Sequence, residues 1–126
     1  MKRSWIGAVL LAALLLGSLL VTKAMVTSHE TVETQLLQAA ELVSAGDWNQ
    51  AEVRFQQAAA DWNRTAHMRG CFADHGPVEQ IDAAFAALAD YARGRDTLTF
   101  SATCRSLARQ VAAVGEAHKP VWWNLL

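Results

Sequence analysis

Two cysteines in 126 residues are too few for a disulfide-built mini-scaffold or a four-thiolate zinc site. Two prolines and seven glycines exclude a collagen-like or low-complexity chain. The formal charge is −1 and only 18% of residues are charged. Such a chain has no general pull toward phosphate backbones, and no nucleic acid partner is expected. No segment shows convincing apolar–polar alternation of period two, which argues against strands. Neither a Ser-His-Asp order nor a glycine-rich phosphate loop is present, so the chain is not expected to be an enzyme, and no cofactor is expected. What it does have is apolar residues, 52% of the total, concentrated at the N-terminus. The length allows one domain once a targeting segment is set aside.

That segment follows Met1-Lys2-Arg3-Ser4. Residues 5–22 are uninterruptedly apolar or small, and Lys23 closes the run. As a helix they would reach about 27 Å, close to the ~30 Å of a bilayer's hydrocarbon core. Trp5 stands where an interfacial aromatic belt begins, Leu10, Leu15 and Leu20 lie along the span, and Lys23 can snorkel to the headgroups. Two positive charges precede the run and one follows, which favours a cytoplasmic N-terminus with the remainder outside. The competing reading is a cleaved signal peptide, with small-residue sites at Val26-Thr27-Ser28 or Thr22-Lys23-Ala24. The run exceeds the ~7–15 residues of a signal-peptide core, which favours a retained anchor over residues 1–26. Setting aside Lys2, Arg3 and Lys23 leaves 8 basic against 12 acidic residues in the exported part, so its charge exerts no pull on anionic lipid.

The remainder reads as helices. Val32, Leu36, Ala39 or Ala40 and Val43 recur at three- and four-residue steps, and Gly46 then stops the helix. Asp47, with Gln50 three residues on, is an N-cap. Trp48, Ala51, Phe55, Ala58, Trp62 and Ala66 form a second stripe that fades near Arg69-Gly70. Gly76-Pro77 restarts a helix carrying Val78, Ile81, Phe85, Leu88 and Ala92, which Gly94 ends. Asp96 caps a last helix with Phe100, Cys104, Leu107, Val111 and Val114, closed by Gly115. The expected core is therefore Trp48, Phe55, Trp62, Ile81, Phe85, Leu88, Cys104, Leu107 and Val111, with Phe100 and Tyr91 adding aromatic area.

The fold class is all-α: an N-terminal transmembrane helix continuing, with no breaker, into an antiparallel bundle of about four helices over residues 27–115. An even number of passes puts residues 69–76 and the tail 116–126 at the membrane-proximal end. Trp122, Trp123 and Leu125 make that tail apolar, so it should pack on the bundle's base or lie among headgroups. Packing on the base is favoured.

Few residues invite chemistry. His67, Cys71, Asp74 and His75 fall within nine residues and carry donors suited to zinc or a similar divalent ion. Their spacing matches no established zinc motif, and helix-end polar residues are the plainer explanation. Cys71 and Cys104 sit in a disulfide-permissive compartment. Helical register nonetheless separates them by roughly 10 Å or more, so Cys104 is expected as a buried packing thiol. Asp61, Glu79, Asp82 and Asp90 read as solvated or first-turn carboxylates, and His29 and His118 each stand alone near the membrane-proximal boundary.

Trp5-Ile6 after a basic start, Gly46-Asp47-Trp48 with Ala51, Trp62, Asp74-His75, Ile81-Asp82 and the closing Asn124-Leu125-Leu126 together resemble domain-of-unknown-function family 4363. The resemblance covers nearly the whole chain, through short and mostly structural motifs. It implies a small single-pass bacterial membrane protein of Gram-positive type with an extracytoplasmic helical domain. It implies no activity, and no catalytic residue carries over. Cys71, Cys104 and Trp122-Trp123 depart from the family pattern. The turn in residues 42–58 also resembles that of a tetratricopeptide unit, but an array needs about three such units.

The function expected is that of a non-catalytic module in the bacterial cell membrane, partnered by the lipid bilayer and by another membrane or envelope protein. The alternative is a metal- or ligand-binding sensor domain using the turn over residues 67–75.

Overall fold

A computed structural model describes residues 2–72 and 75–117, with side chains except those of residues 2, 3, 71 and 72. Five helices follow one another: α1 (Lys2–Ser44), α2 (Trp48–Arg64), α3 (Ala66–Phe72), α4 (His75–Arg93) and α5 (Thr97–Ala117). No strand occurs among the described residues. The all-α expectation is met, including the unbroken passage of the apolar N-terminal run into the first bundle helix. At 43 residues α1 is about 65 Å long.

Its two halves have different surroundings. In the lower half Trp5, Leu10, Leu15 and Leu20 are all more than half exposed. In the upper half Met25, His29, Val32, Leu36, Ala39, Ala40 and Val43 are buried, at steps of three and four that keep them on one face. That face packs along α2 and α5, and α4 packs along α5. Between α2 and α4 rings meet: Phe55 on Phe85 at 6.3 Å and Trp62 on Phe85 at 6.2 Å between centroids. Every residue of the expected core is buried except Trp48, which is partly exposed and lies against Phe100 at 5.2 Å.

The two distal turns are built alike. After α1, Gly46 takes φ +87°. Its N–H donates to the Val43 carbonyl at 3.0 Å, and that of Asp47 to Leu42 at 2.9 Å. This left-handed closure satisfies carbonyls that the helix end would strand. The Asp47 carboxylate then accepts the Gln50 N–H at 3.1 Å and starts α2. After α4 the same pair of bonds runs from Arg95 to Ala92 and from Asp96 to Tyr91, both 3.1 Å, and Asp96 accepts the Thr99 N–H at 3.1 Å. Hydrogen bonds from the Thr99 side chain and backbone hold the Asp96 carboxyl below its usual pKa. Here the left-handed residue is Arg95 (φ 53°), not the glycine before it. Its guanidinium lies 5.1 Å from the Trp48 ring and 3.8 Å from Glu52, tying the second turn to the first.

Three boundaries differ from the sequence expectation. The second stripe is two helices, because Thr65 breaks it: the Thr65 hydroxyl donates to the Trp62 carbonyl at 3.2 Å, and the Arg69 guanidinium donates to that same carbonyl. α4 begins at His75, one residue ahead of Gly76-Pro77. Gly115 does not close α5, which continues to Ala117, past the expected limit of the bundle at residue 115. A Cβ at Gly115 would lie 3.1 Å from the His29 Cβ, so this glycine serves a close helix approach. The tail residues Trp122, Trp123 and Leu125 lie outside the described residues.

Gly46→Ala should destabilise the full chain in detergent by about 1 kcal/mol, since an added Cβ is strained at positive φ. Gly94 has ordinary φ, and a Cβ there meets only van der Waals neighbours, the nearest at 3.6 Å. Gly94→Ala should therefore stabilise by about 0.5 kcal/mol through the unfolded chain. Thermal melts of the two variants check the opposite signs.

Candidate functional site

Among the described residues four buried ones are polar: His29, Thr65, Arg69 and Ser101. Ser101 is near the distal end, where its hydroxyl meets Ser44 at 3.4 Å and accepts from Arg105 at 2.5 Å. The other three gather around Trp62 at the opposite end, level with the junction between the exposed and buried halves of α1.

Each arrives there for a local reason. His29 continues the α1 stripe, four residues after Met25 and three before Val32. Its ring meets Trp62 edge-on at 5.7 Å, and Gly115 leaves room behind it. Arg69 is seven residues beyond Trp62, and the break at Thr65 folds α3 back so that its guanidinium carbon lies 3.5 Å from the centre of the Trp62 ring. The same guanidinium donates to the Thr65 hydroxyl at 2.5 Å. From α4, Asp82 accepts the indole N–H of Trp62 at 2.7 Å. One indole therefore contacts three other helices, through a ring edge, a cation over its face and a hydrogen bond.

The electrostatics follow. Arg69 is 2% exposed, and burial pushes its guanidinium down from the usual pKa, while the charge of Asp82 opposes that shift. Stacking on an indole compensates a desolvated cation in part. Its Nε, buried, has no hydrogen-bond partner among the described residues. Beside this cluster Gln35 donates to Asp61, the residue before Trp62, at 2.9 Å, joining α1 to α2. Asp61, expected as a solvated carboxylate, is thus an interhelical acceptor, and it also pairs with Arg64.

Of the four residues singled out for metal binding, only two have described side chains. His67 and His75 are both exposed. The Cys71 side chain and Asp74 lie outside what is described. Among the described residues no group of three or more histidine, cysteine, aspartate or glutamate side chains could hold an ion. Cys104 is a free, buried thiol on the core face of α5, and burial pushes its pKa up to about 12. A thiol so shifted is protonated at neutral pH and inert as a nucleophile.

Sequence reasoning passed over His29, as a lone histidine, and Arg69, as the fading end of a helix. The signal for His29 was present in its stripe spacing. Arg69 carried only its seven-residue offset from Trp62.

A family model described as Domain of unknown function (DUF4363) matches residues 19–125. No curated protein and no solved structure matches the chain.

Trp62→Phe keeps an aromatic ring but loses the pyrrole half of the indole and with it the donor to Asp82. With the void left in a fully buried site it should cost about 2 kcal/mol. Combined with Asp82→Ala the losses should fall short of additive by about 1 kcal/mol, as expected of two groups sharing one bond. A double-mutant cycle on unfolding free energy checks this.

Proposed function

The chain belongs to the DUF4363 family, and we propose that it is a non-catalytic, single-pass module of a bacterial cell membrane, with its helical bundle outside the cell and its N-terminus in the cytoplasm. In this reading the bundle acts through another membrane or envelope protein and the lower half of α1 anchors it.

The observation that carries the reading is the continuity of α1. Within Ser4–Ser44 is an apolar window long enough to cross a bilayer, and none of that window is buried in the protein. Each large apolar side chain there is worth about 1.5–3 kcal/mol when taken out of water, and α1 offers nothing in the bundle to cover them. Retention is favoured over cleavage by the length of the apolar run, which exceeds the ~7–15 residues of a signal-peptide core. The family match also begins inside the apolar half and so spans the junction of the two halves as one unit. Orientation rests on Lys2 and Arg3 before the span against Lys23 after it.

A role through partners is supported by how the polar groups around Trp62 are used. Trp62, Arg69, Asp82, Gln35 and Asp61 hold helices to one another, which leaves the bundle's outer faces as its means of action.

The test is the mass and location of the mature protein. Alkaline extraction of membranes should leave the chain in the pellet with its apolar segment intact. A shortened chain in the culture medium, beginning near Met25 or His29, would overturn the reading.

A further inference from the structure

Of the described histidines, His67 and His75 are exposed, and His29 is buried where the exposed and buried halves of α1 meet. Its ring stands between two unlike neighbourhoods. On one side is the Trp62 indole, 5.7 Å away between centroids, with the Arg69 guanidinium over its face. On the other is a recess between α1 and α5, whose lining includes His29, Glu30, Glu33, Gly115 and Glu116. We propose that His29 is a proton-operated catch: the neutral ring holds α1 to Trp62, and protonation moves it toward the carboxylates of the recess and loosens the base of the bundle.

The charged groups on each neighbouring helix set the direction. From α3, Arg69 already places one cation on the indole, so an imidazolium packed there would add a second. From α4, Asp82 is the counter-charge, but it accepts the indole N–H and acts on Arg69. On α2, the Asp61 carboxylate is engaged by Gln35 and Arg64. α5 brings its backbone closest, since a Cβ at Gly115 would lie 3.8 Å from the His29 Nδ1, and Glu116 follows at the recess. On α1 itself Glu30 is the next residue and Glu33 lies one helical turn above. Glu30 and Glu116 are exposed and Glu33 is half-buried, so water screens their charges from a ring packed on Trp62. His118 and Lys119 lie outside the described residues.

Burial opposes the charged form of a histidine, and a neighbouring cation opposes it further. A ring released to the recess meets neither penalty, because water and carboxylates surround it there. The proton therefore favours the released ring over the packed one. The catch is at full strength above the ordinary histidine pKa of about 6.5 and weakens as the pH falls below it. A histidine is suited to this role because its charge changes within the physiological range.

Two signals test this in the full chain in lipid nanodiscs with labelled histidine rings and indoles. One is the His29 ring, assigned by elimination through His67→Gln, His75→Gln and His118→Gln. The other is solvent exchange of the Trp62 indole N–H, assigned through Trp62→Phe and corrected for its intrinsic pH dependence. A released ring of ordinary pKa is about ten parts protonated to one at pH 5.5. Corrected exchange should therefore be about tenfold faster at pH 5.5 than at pH 7.5. The His29 ring should still be mostly neutral at pH 6.5, where an ordinary histidine is half protonated. In His29→Gln the rise in exchange should vanish. A ring half protonated at pH 6.5, exchange that does not rise, or the same rise in His29→Gln would overturn the proposal. If His29→Gln does not fold, the ring and the exchange of the unsubstituted chain decide. Glu33→Gln together with Glu116→Gln should lessen the rise, and a rise left at full size overturns the recess as the ring's destination.

Discussion

A helix that bonds its own N–H and C=O groups needs no water along its interior, and α1 does so from Lys2 to Ser44. What surrounds each part of it is therefore decided by side chains alone. Below Met25 they are large, apolar and exposed. From Met25 upward one face is buried under α2 and α5 and the other is polar. The rest of the structure depends on this unbroken backbone, because the helix that forms the middle of the bundle is also the one that emerges from its base. No linker separates the two parts, so the bundle's height and rotation are fixed relative to the exposed half of α1.

The base is where that arrangement is most demanding. A helical bundle resting at the end of an apolar rod has to close its lower end without exposing backbone. α3 does this, folded back by the competition of Thr65 and Arg69 for one carbonyl. The cluster around Trp62 gathers α1, α2, α3 and α4 onto a single side chain, with α5 brought close by the absence of a side chain at Gly115. Burying Arg69 is costly by itself, and the indole beneath it and the Asp82 charge nearby reduce that cost. The distal end is simpler: two glycine-and-aspartate turns of the same design, tied together by Arg95 across Trp48 and Glu52.

Much of this was legible in the residues. The stripes through Val32 and Leu36, or Ile81, Phe85 and Leu88, have one period, and both aspartate caps bond as their spacing implies. Such signals are local, and local rules read them. The features that were not legible depend on contacts between helices. Nothing between Trp62 and Arg69 is a strong breaker, so the division at Thr65 follows from where Arg69 finds its partners. Asp82 looks like any first-turn carboxylate until α4 is set beside α2. Gly115 illustrates a real ambiguity: a glycine late in a helix reads as a stop, yet here it permits close packing. The cluster of His67, Cys71, Asp74 and His75 was suggested by donor type alone; both histidines are exposed, and the Cys71 side chain and Asp74 lie outside the described residues.

The central claim is that α1 passes from its exposed half into the bundle without a break. Amide hydrogen exchange of the full chain in lipid nanodiscs, read over residues 22–30, tests it most directly. Protection equal to that of residues 32–43 is the result the account predicts. Fast exchange confined to residues 22–30 would mean a hinge between the exposed half of α1 and the bundle, and would contradict it.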